Sequence, residues 1–324
     1  MRRLYLLLFL FMSCGAVFAS PGKGIVIGDV RFNNVLYARD PDPAPSADFQ
    51  TLIVPIKRAG NLIIVEAQVD TLEGNFVLDT GAPYLILNAT YFRQLPKIDD
   101  QEAGGINGTS PGSFTTYVHN FNILDLQYSR LTAGVVDLSF IENGRNLKIL
   151  GLLGTRLFSK FAITVDLTKN VLYIHKLDNK GNIPEGEQLF HNKLLSTPFS
   201  LMNDVVFFKV SVSTKTFWFA FDSAAETNLF DYDRSKKLPG AFKVISRSKV
   251  SGLGGSKLEV LYAQFDELTV GGHVFRENKV LLTNLEKMGE SYGHSVDGIL
   301  GYDFFARGIF SINFVKKEFD MYNL

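Results

Sequence analysis

Asp79-Thr80-Gly81-Ala82 and Asp222-Ser223-Ala224-Ala225 are two versions of one short stretch, 143 positions apart. Each follows a run of strand-forming residues, Asn75-Phe76-Val77-Leu78 in the first case and Trp218-Phe219-Ala220-Phe221 in the second. An acid at the end of an apolar strand, followed by a small hydroxyl residue and a tight turn, puts a carboxyl where the chain leaves a sheet. Taken alone, a strand-end aspartate usually caps or turns the chain. Its recurrence in matched surroundings points instead to two half-sites carried by one chain.

The echo continues outward. Gly151-Leu152-Leu153-Gly154-Thr155-Arg156-Leu157-Phe158 is answered 147 positions later by Gly298-Ile299-Leu300-Gly301-Tyr302-Asp303-Phe304-Phe305. Phe161 to Asp166 corresponds in residue type to Gly308 to Asn313 at the same offset, and both halves close on strand-like segments, 171–175 and 318–322. Between acid and late turn each half holds a glycine-rich stretch, Gly104-Gly105-Ile106-Asn107-Gly108 and Gly252-Leu253-Gly254-Gly255, suited to a hairpin tip. A repeating unit of roughly 130 to 150 residues has the usual size of one domain.

These motifs resemble the aspartic peptidases, in particular their retropepsin-like branch, over most of residues 48–324. The resemblance implies a mainly β fold of two related barrel lobes with a cleft between them. It implies that Asp79 and Asp222 form a catalytic dyad, that Thr80, Gly81, Ser223 and Ala224 brace its loops, and that Leu153, Gly154, Leu300 and Gly301 support those loops from beneath. Gly105, Ile106, Gly108, Gly252, Leu253 and Gly254 would belong to flaps closing over an extended polypeptide substrate, with no cofactor or metal required. Two lobes in one chain imply a monomer resembling the pepsin arrangement. One position departs from the pattern: the glycine after the hydroxyl residue is present as Gly81 but is Ala224 in the second copy. A glycine-only backbone there would strain the loop, so the alternative function is a peptide-binding protein that keeps the fold with impaired turnover.

Two carboxyls at close range cannot both ionise easily, so one serves as base and the other as acid in activating a water. Apolar pocket candidates are Leu85, Ile106, Leu152, Leu229, Leu253 and Ile299. Other chemistries fit less well. The histidines, His119, His175, His191, His273 and His294, lack metal-ligand spacing. No Gly-x-Ser-x-Gly elbow surrounds Ser223, and no Gly-Lys-Ser/Thr follows Gly252-Leu253-Gly254-Gly255. Asp297 and Asp303, near the second late turn, read as structural hydrogen-bond formers.

Residues 1–19 read as an export signal: Arg2 and Arg3, an apolar stretch from Leu4 to Met12, and Val17-Phe18-Ala19 before the cut. Cys14 is the only cysteine. Cleavage after Ala19 leaves no disulfide, which fits a periplasmic or extracellular protein of a bacterial envelope. Phe11-Met12-Ser13-Cys14 loosely resembles the box before a lipidated cysteine, so lipid anchoring through Cys14 is an alternative. With 33 basic and 33 acidic residues, nothing favours a nucleic-acid partner. After the signal no apolar run approaches the ~20 residues that span a bilayer.

The mature chain divides into an arm at 20–47, whose Pro41, Pro43 and Pro45 deny regular pairing, a first lobe at 48–176, a polar, turn-rich connector at 177–198 and a second lobe at 199–324. Short helices are expected near 89–95, 155–160, 231–238 and 302–306, and strands elsewhere.

Overall fold

Alternation sets the first strand of the lobe. In Thr51–Ala59, Leu52, Val54 and Ile56 are buried while the residues between them face outward, as a half-buried strand requires. Leu62–Val69 follows across a hairpin whose tip is Gly60 at φ +63°, a left-handed position that suits glycine. A computed structural model describes residues 44–98, 112–143, 145–247, 260–286, 288 and 295–324 with their side chains, and the backbone alone of 2–10, 26–34, 99–100, 103–105, 108–110, 248–252 and 257–259. Cys14, the expected cleavage pattern at Val17-Phe18-Ala19, the expected flap residues Ile106, Leu253 and Gly254, and His294 lie outside the described residues.

Strand accounts for 54% of the residues and helix for 10%, which makes the chain mainly β, with a six-stranded closed barrel and a second ring-like sheet. Each half contains the same local weave. Gly151–Leu153 lies between Leu72–Leu78, to which it is parallel, and Leu85–Asn88, to which it is antiparallel. Gly298–Leu300 lies in the same way between Lys215–Phe221 and Leu229–Asp231. The late strand is thus inserted between the strand that enters the acidic loop and the strand that leaves it. Each ring closes by a further pairing, Leu62–Val69 with Phe114–Ile123 and Val205–Val212 with Lys257–Val270.

The halves join through a continuous antiparallel sheet in the order 193–198, 318–322, 309–313, 161–166, 171–176, 51–59. At its centre Thr164 pairs with Ser311, the residue 147 positions later, so an approximate two-fold axis passes through that pair. The Thr164 hydroxyl donates to the Ser311 hydroxyl at 2.9 Å. Lys193–Pro198, read from sequence as the end of a connector, is a strand paired to Glu318–Tyr322. Its charged and polar surroundings disguised it, because only Leu195 and Thr197 of the six residues are buried.

The helices near 89, 155, 232 and 302 form as single turns, Ala89–Phe92, Thr155–Phe158, Tyr232–Ser235 and Tyr302–Phe305. Ser139–Glu142 is an additional turn that sequence periodicity is too short to reveal. The second lobe is filled by phenylalanines. Phe221, which leads directly into Asp222, has ring centroids of Phe319 at 5.0 Å and Phe310 at 5.2 Å. Packing of this kind fixes where the acidic loop begins.

Candidate functional site

Both acidic loops hang from the inserted strands. The Asp79 N–H donates to Leu153 O and the Asp222 N–H to Leu300 O, each at 3.0 Å. One turn later the Thr155 N–H donates to Ala82 O and the Tyr302 N–H to Ala225 O, each at 2.8 Å. Gly154 and Gly301 permit this closeness. A Cβ on Gly154 would stand 2.3 Å from Tyr84 O, and one on Gly301 2.5 Å from Ala225 O and from Thr227 O. The Gly301 N–H also donates to Asn228 Oδ1 at 2.9 Å.

The two loops then grip each other. The Thr80 N–H donates to Ser223 Oγ at 3.0 Å and the Ser223 N–H to Thr80 Oγ1 at 2.9 Å. Each hydroxyl in turn donates a hydrogen bond to the strand end of the opposite lobe, Thr80 to Phe221 O at 2.9 Å and Ser223 to Leu78 O at 2.8 Å. All four groups are buried, so the bonds form where leaving them unmade would be costly.

This grip brings Asp79 and Asp222 together, both fully buried and near enough for the charge of Asp222 to act on Asp79. Within each loop one oxygen is satisfied: Asp79 Oδ1 accepts from the Gly81 N–H at 2.9 Å, and Asp222 Oδ1 accepts from the Ala224 N–H at 2.8 Å and the Ala225 N–H at 3.2 Å. Oδ2 of each aspartate is buried without a hydrogen-bond donor from the rest of the protein. Burial pushes the Asp79 carboxyl well above its ordinary range, and the charge of Asp222 pushes the same way. Burial also raises Asp222, against the opposing pull of the Ala224 and Ala225 N–H groups. A pair in this position holds a proton into a pH range where isolated aspartates have lost theirs.

Ala224 does not strain its loop. Neither Ala224 nor Gly81 is among the described residues with positive φ, so the backbone at both copies is one that alanine adopts. The Ala224 methyl crosses the seam and is buried in one apolar cluster with Leu62, Ile64, Val77, Ala82 and Leu152 of the first half. The strain expected from the Gly-to-Ala departure is therefore absent.

Four of the six apolar pocket candidates prove different. Leu85, Leu152, Leu229 and Ile299 are buried at 2% exposure or less; they belong to the weave around the inserted strands and fill core rather than an open pocket. Gly105 stands opposite Gly108 at the end of a small hairpin, and Gly252 ends the strand Phe242–Gly252, whose partner begins at Lys257. Asp303 accepts a hydrogen bond from the Thr227 hydroxyl, and Asp297 accepts from the Trp218 N–H and pairs with Arg234, so both are structural as expected.

Sequence reading missed a second set of contacts at the seam. Glu226, four residues beyond Asp222, forms a buried ion pair with Arg145 of the first half, and Asn61 Nδ2 donates to Glu226 O at 3.2 Å. On the opposite flank Arg156 pairs with Asp204 at 3.2 Å, and Thr155 Oγ1 donates to Asp204 O. Asn61 and Asp204 are themselves 143 positions apart, so the repeat offset was the signal that could have found them.

Residues 208–304 match the aspartyl protease family. The chain is similar to retropepsin-like aspartyl proteases over the segment that carries Asp222, Ser223 and the late glycine turn, as the motifs indicated. Comparison with curated proteins gives no match.

Proposed function

We propose that this chain is an aspartic endopeptidase in which Asp79 and Asp222 share one proton and activate a water against a peptide bond. The observation that carries the proposal is the buried pair of facing carboxyls, each keeping one oxygen that no other protein group occupies. In the reaction the ionised carboxyl takes a proton from water as its oxygen attacks the scissile carbonyl carbon. The protonated partner gives its proton to the carbonyl oxygen. Collapse of the tetrahedral species breaks the C–N bond, the proton taken from water passes to the departing nitrogen, and the pair recovers its single proton as the carbonyl re-forms. The fixed loops supply orientation, and burial supplies the raised proton affinity.

The substrate is an extended polypeptide laid between the lobes beneath the two glycine-rich hairpins, held by main-chain bonds as an added strand. One chain carries both aspartates, so the active unit is a monomer, and the amino-terminal signal directs it out of the cytoplasm. No helix among the described residues is long and apolar enough to cross a membrane. The unstrained Ala224 removes the motive for reading the site as a binding-only relic.

The test is cleavage of casein or a peptide library by the purified chain between acidic and neutral pH. Asp79→Asn and Asp222→Asn should each abolish it. Equal cleavage by both variants and the parent would overturn the proposal.

A further inference from the structure

We propose that Arg145 is a positioning residue for Asp222, acting across the seam through Glu226; this rests on the endopeptidase reading above. The loop from Asp222 to Glu226 is held by the first half at three successive points. Ser223 is bound through Thr80 and Leu78 O, Ala224 is buried in the first half's apolar cluster, and Glu226 is bound by both its side chain and its carbonyl. The last point is anchored by one cation. Arg145 Nη2 meets Glu226 Oε1, and its Nε donates to Ala59 O at 3.1 Å, next to the hairpin tip that supplies Asn61. One guanidinium therefore ties the first half's hairpin and the turn after Ser139–Glu142 to the end of the Asp222 loop.

The pair is nearly out of water, with side-chain exposures of 9% for Arg145 and 4% for Glu226. Burial lowers Arg145 only to about 10, which leaves it charged at any pH where the dyad works. A planar fork holding a carboxylate and a carbonyl at once fixes direction as well as distance, which a lysine cannot reproduce fully. The arrangement is also one-sided. The position matching Glu226 in the first copy is Pro83, so the Asp79 loop has no such carboxylate, and Arg145 acts on one aspartate of the two.

The consequence is a defect in turnover rather than in substrate affinity. Losing the tie lets Asp222 drift from Asp79 while the cleft walls remain, and a small misplacement at reacting atoms can cost on the order of 100-fold in rate. The test compares the full chain with Arg145→Met/Glu226→Gln, Arg145→Lys and Asp222→Asn, each checked for folding by circular dichroism. The double variant avoids stranding a buried charge, so it separates positioning from collapse of the fold. A fall in kcat of about tenfold or more, with KM within about twofold, is expected for the double variant. The acid limb of its kcat profile should move as the dyad separates, and Arg145→Lys should recover part of the loss. Cleavage that needs Asp222 but proceeds in the folded double variant with kcat within twofold of the parent overturns the positioning role alone. Cleavage indifferent to Asp222→Asn overturns the endopeptidase reading and this inference with it.

Discussion

Thr80 and Ser223 each donate a backbone N–H to the other's hydroxyl oxygen, at 3.0 and 2.9 Å, and each hydroxyl donates onward to the strand that precedes the other. The arrangement maps onto itself under exchange of the two halves. A second self-matching pair, Thr164 with Ser311, sits in the sheet that joins them. Two such pairs define one approximate two-fold axis, and the two aspartates face each other across it.

Thr80→Val keeps the shape of the side chain but strips the Ser223 N–H of its acceptor and Phe221 O of its donor. The expected cost is about 2 to 4 kcal/mol for two buried groups left unmatched, with a matching loss of cleavage. Thr80→Ser keeps both bonds and should stay within about 1 kcal/mol of the parent. Urea unfolding of the two variants beside the parent checks the difference.

Ala224→Gly removes a methyl buried in the first half's cluster and frees the backbone of a loop that does not need glycine. It should destabilise the protein by about 1 to 2 kcal/mol and bring no gain in activity. A large gain in cleavage on this substitution would show that Ala224 impairs the site after all.

Gly301→Ala places a Cβ 2.5 Å from two backbone oxygens, Ala225 O and Thr227 O, in the loop that carries Asp222. Backbone atoms cannot swing aside as a side chain can, so the loop itself must move. We expect loss of at least about 3 kcal/mol of stability and of activity together. Thermal unfolding measured alongside peptide cleavage tests both.

Two buried sites, the aspartate pair and His175, give the stability of the chain opposite pH dependences. The Asp79 and Asp222 carboxyls are raised in the folded state. Their contribution is therefore fully present below the unfolded value of about 4 and is lost as pH rises through the folded values. His175, buried between the Thr51 and Thr164 hydroxyls, is lowered to about 4 by burial. Its contribution is complete above the unfolded value of about 6.5 and is lost as pH falls through the folded one. Tm measured from pH 3.5 to 8 should show Asp222→Asn moving the stability maximum to higher pH and His175→Gln moving it to lower pH.

The acidic motifs, the late glycine turns and the strand alternation were legible in the sequence because each is local: a residue type at a fixed spacing, repeated at an offset of 143 or 147. Lys193–Pro198 was not, because its strand character comes from a partner 120 or more positions away. The Arg145–Glu226 tie was hidden for the same reason, and also because Pro83 breaks the repeat at the matching position. Leu152 and Ile299 looked like pocket walls because they neighbour the site in sequence. They face the core because an inserted strand is enclosed on both sides.

The most direct test of the central claim is a carbon-13 NMR titration of the aspartate carboxyls in the full chain, with the two signals assigned by their loss in Asp79→Asn and Asp222→Asn. Both should titrate above the ordinary carboxylate range in the parent, and in each variant the surviving signal should change its titration, because one proton is held in common. Two independent titrations near pH 4, each unaffected by removal of the other carboxyl, would contradict the account.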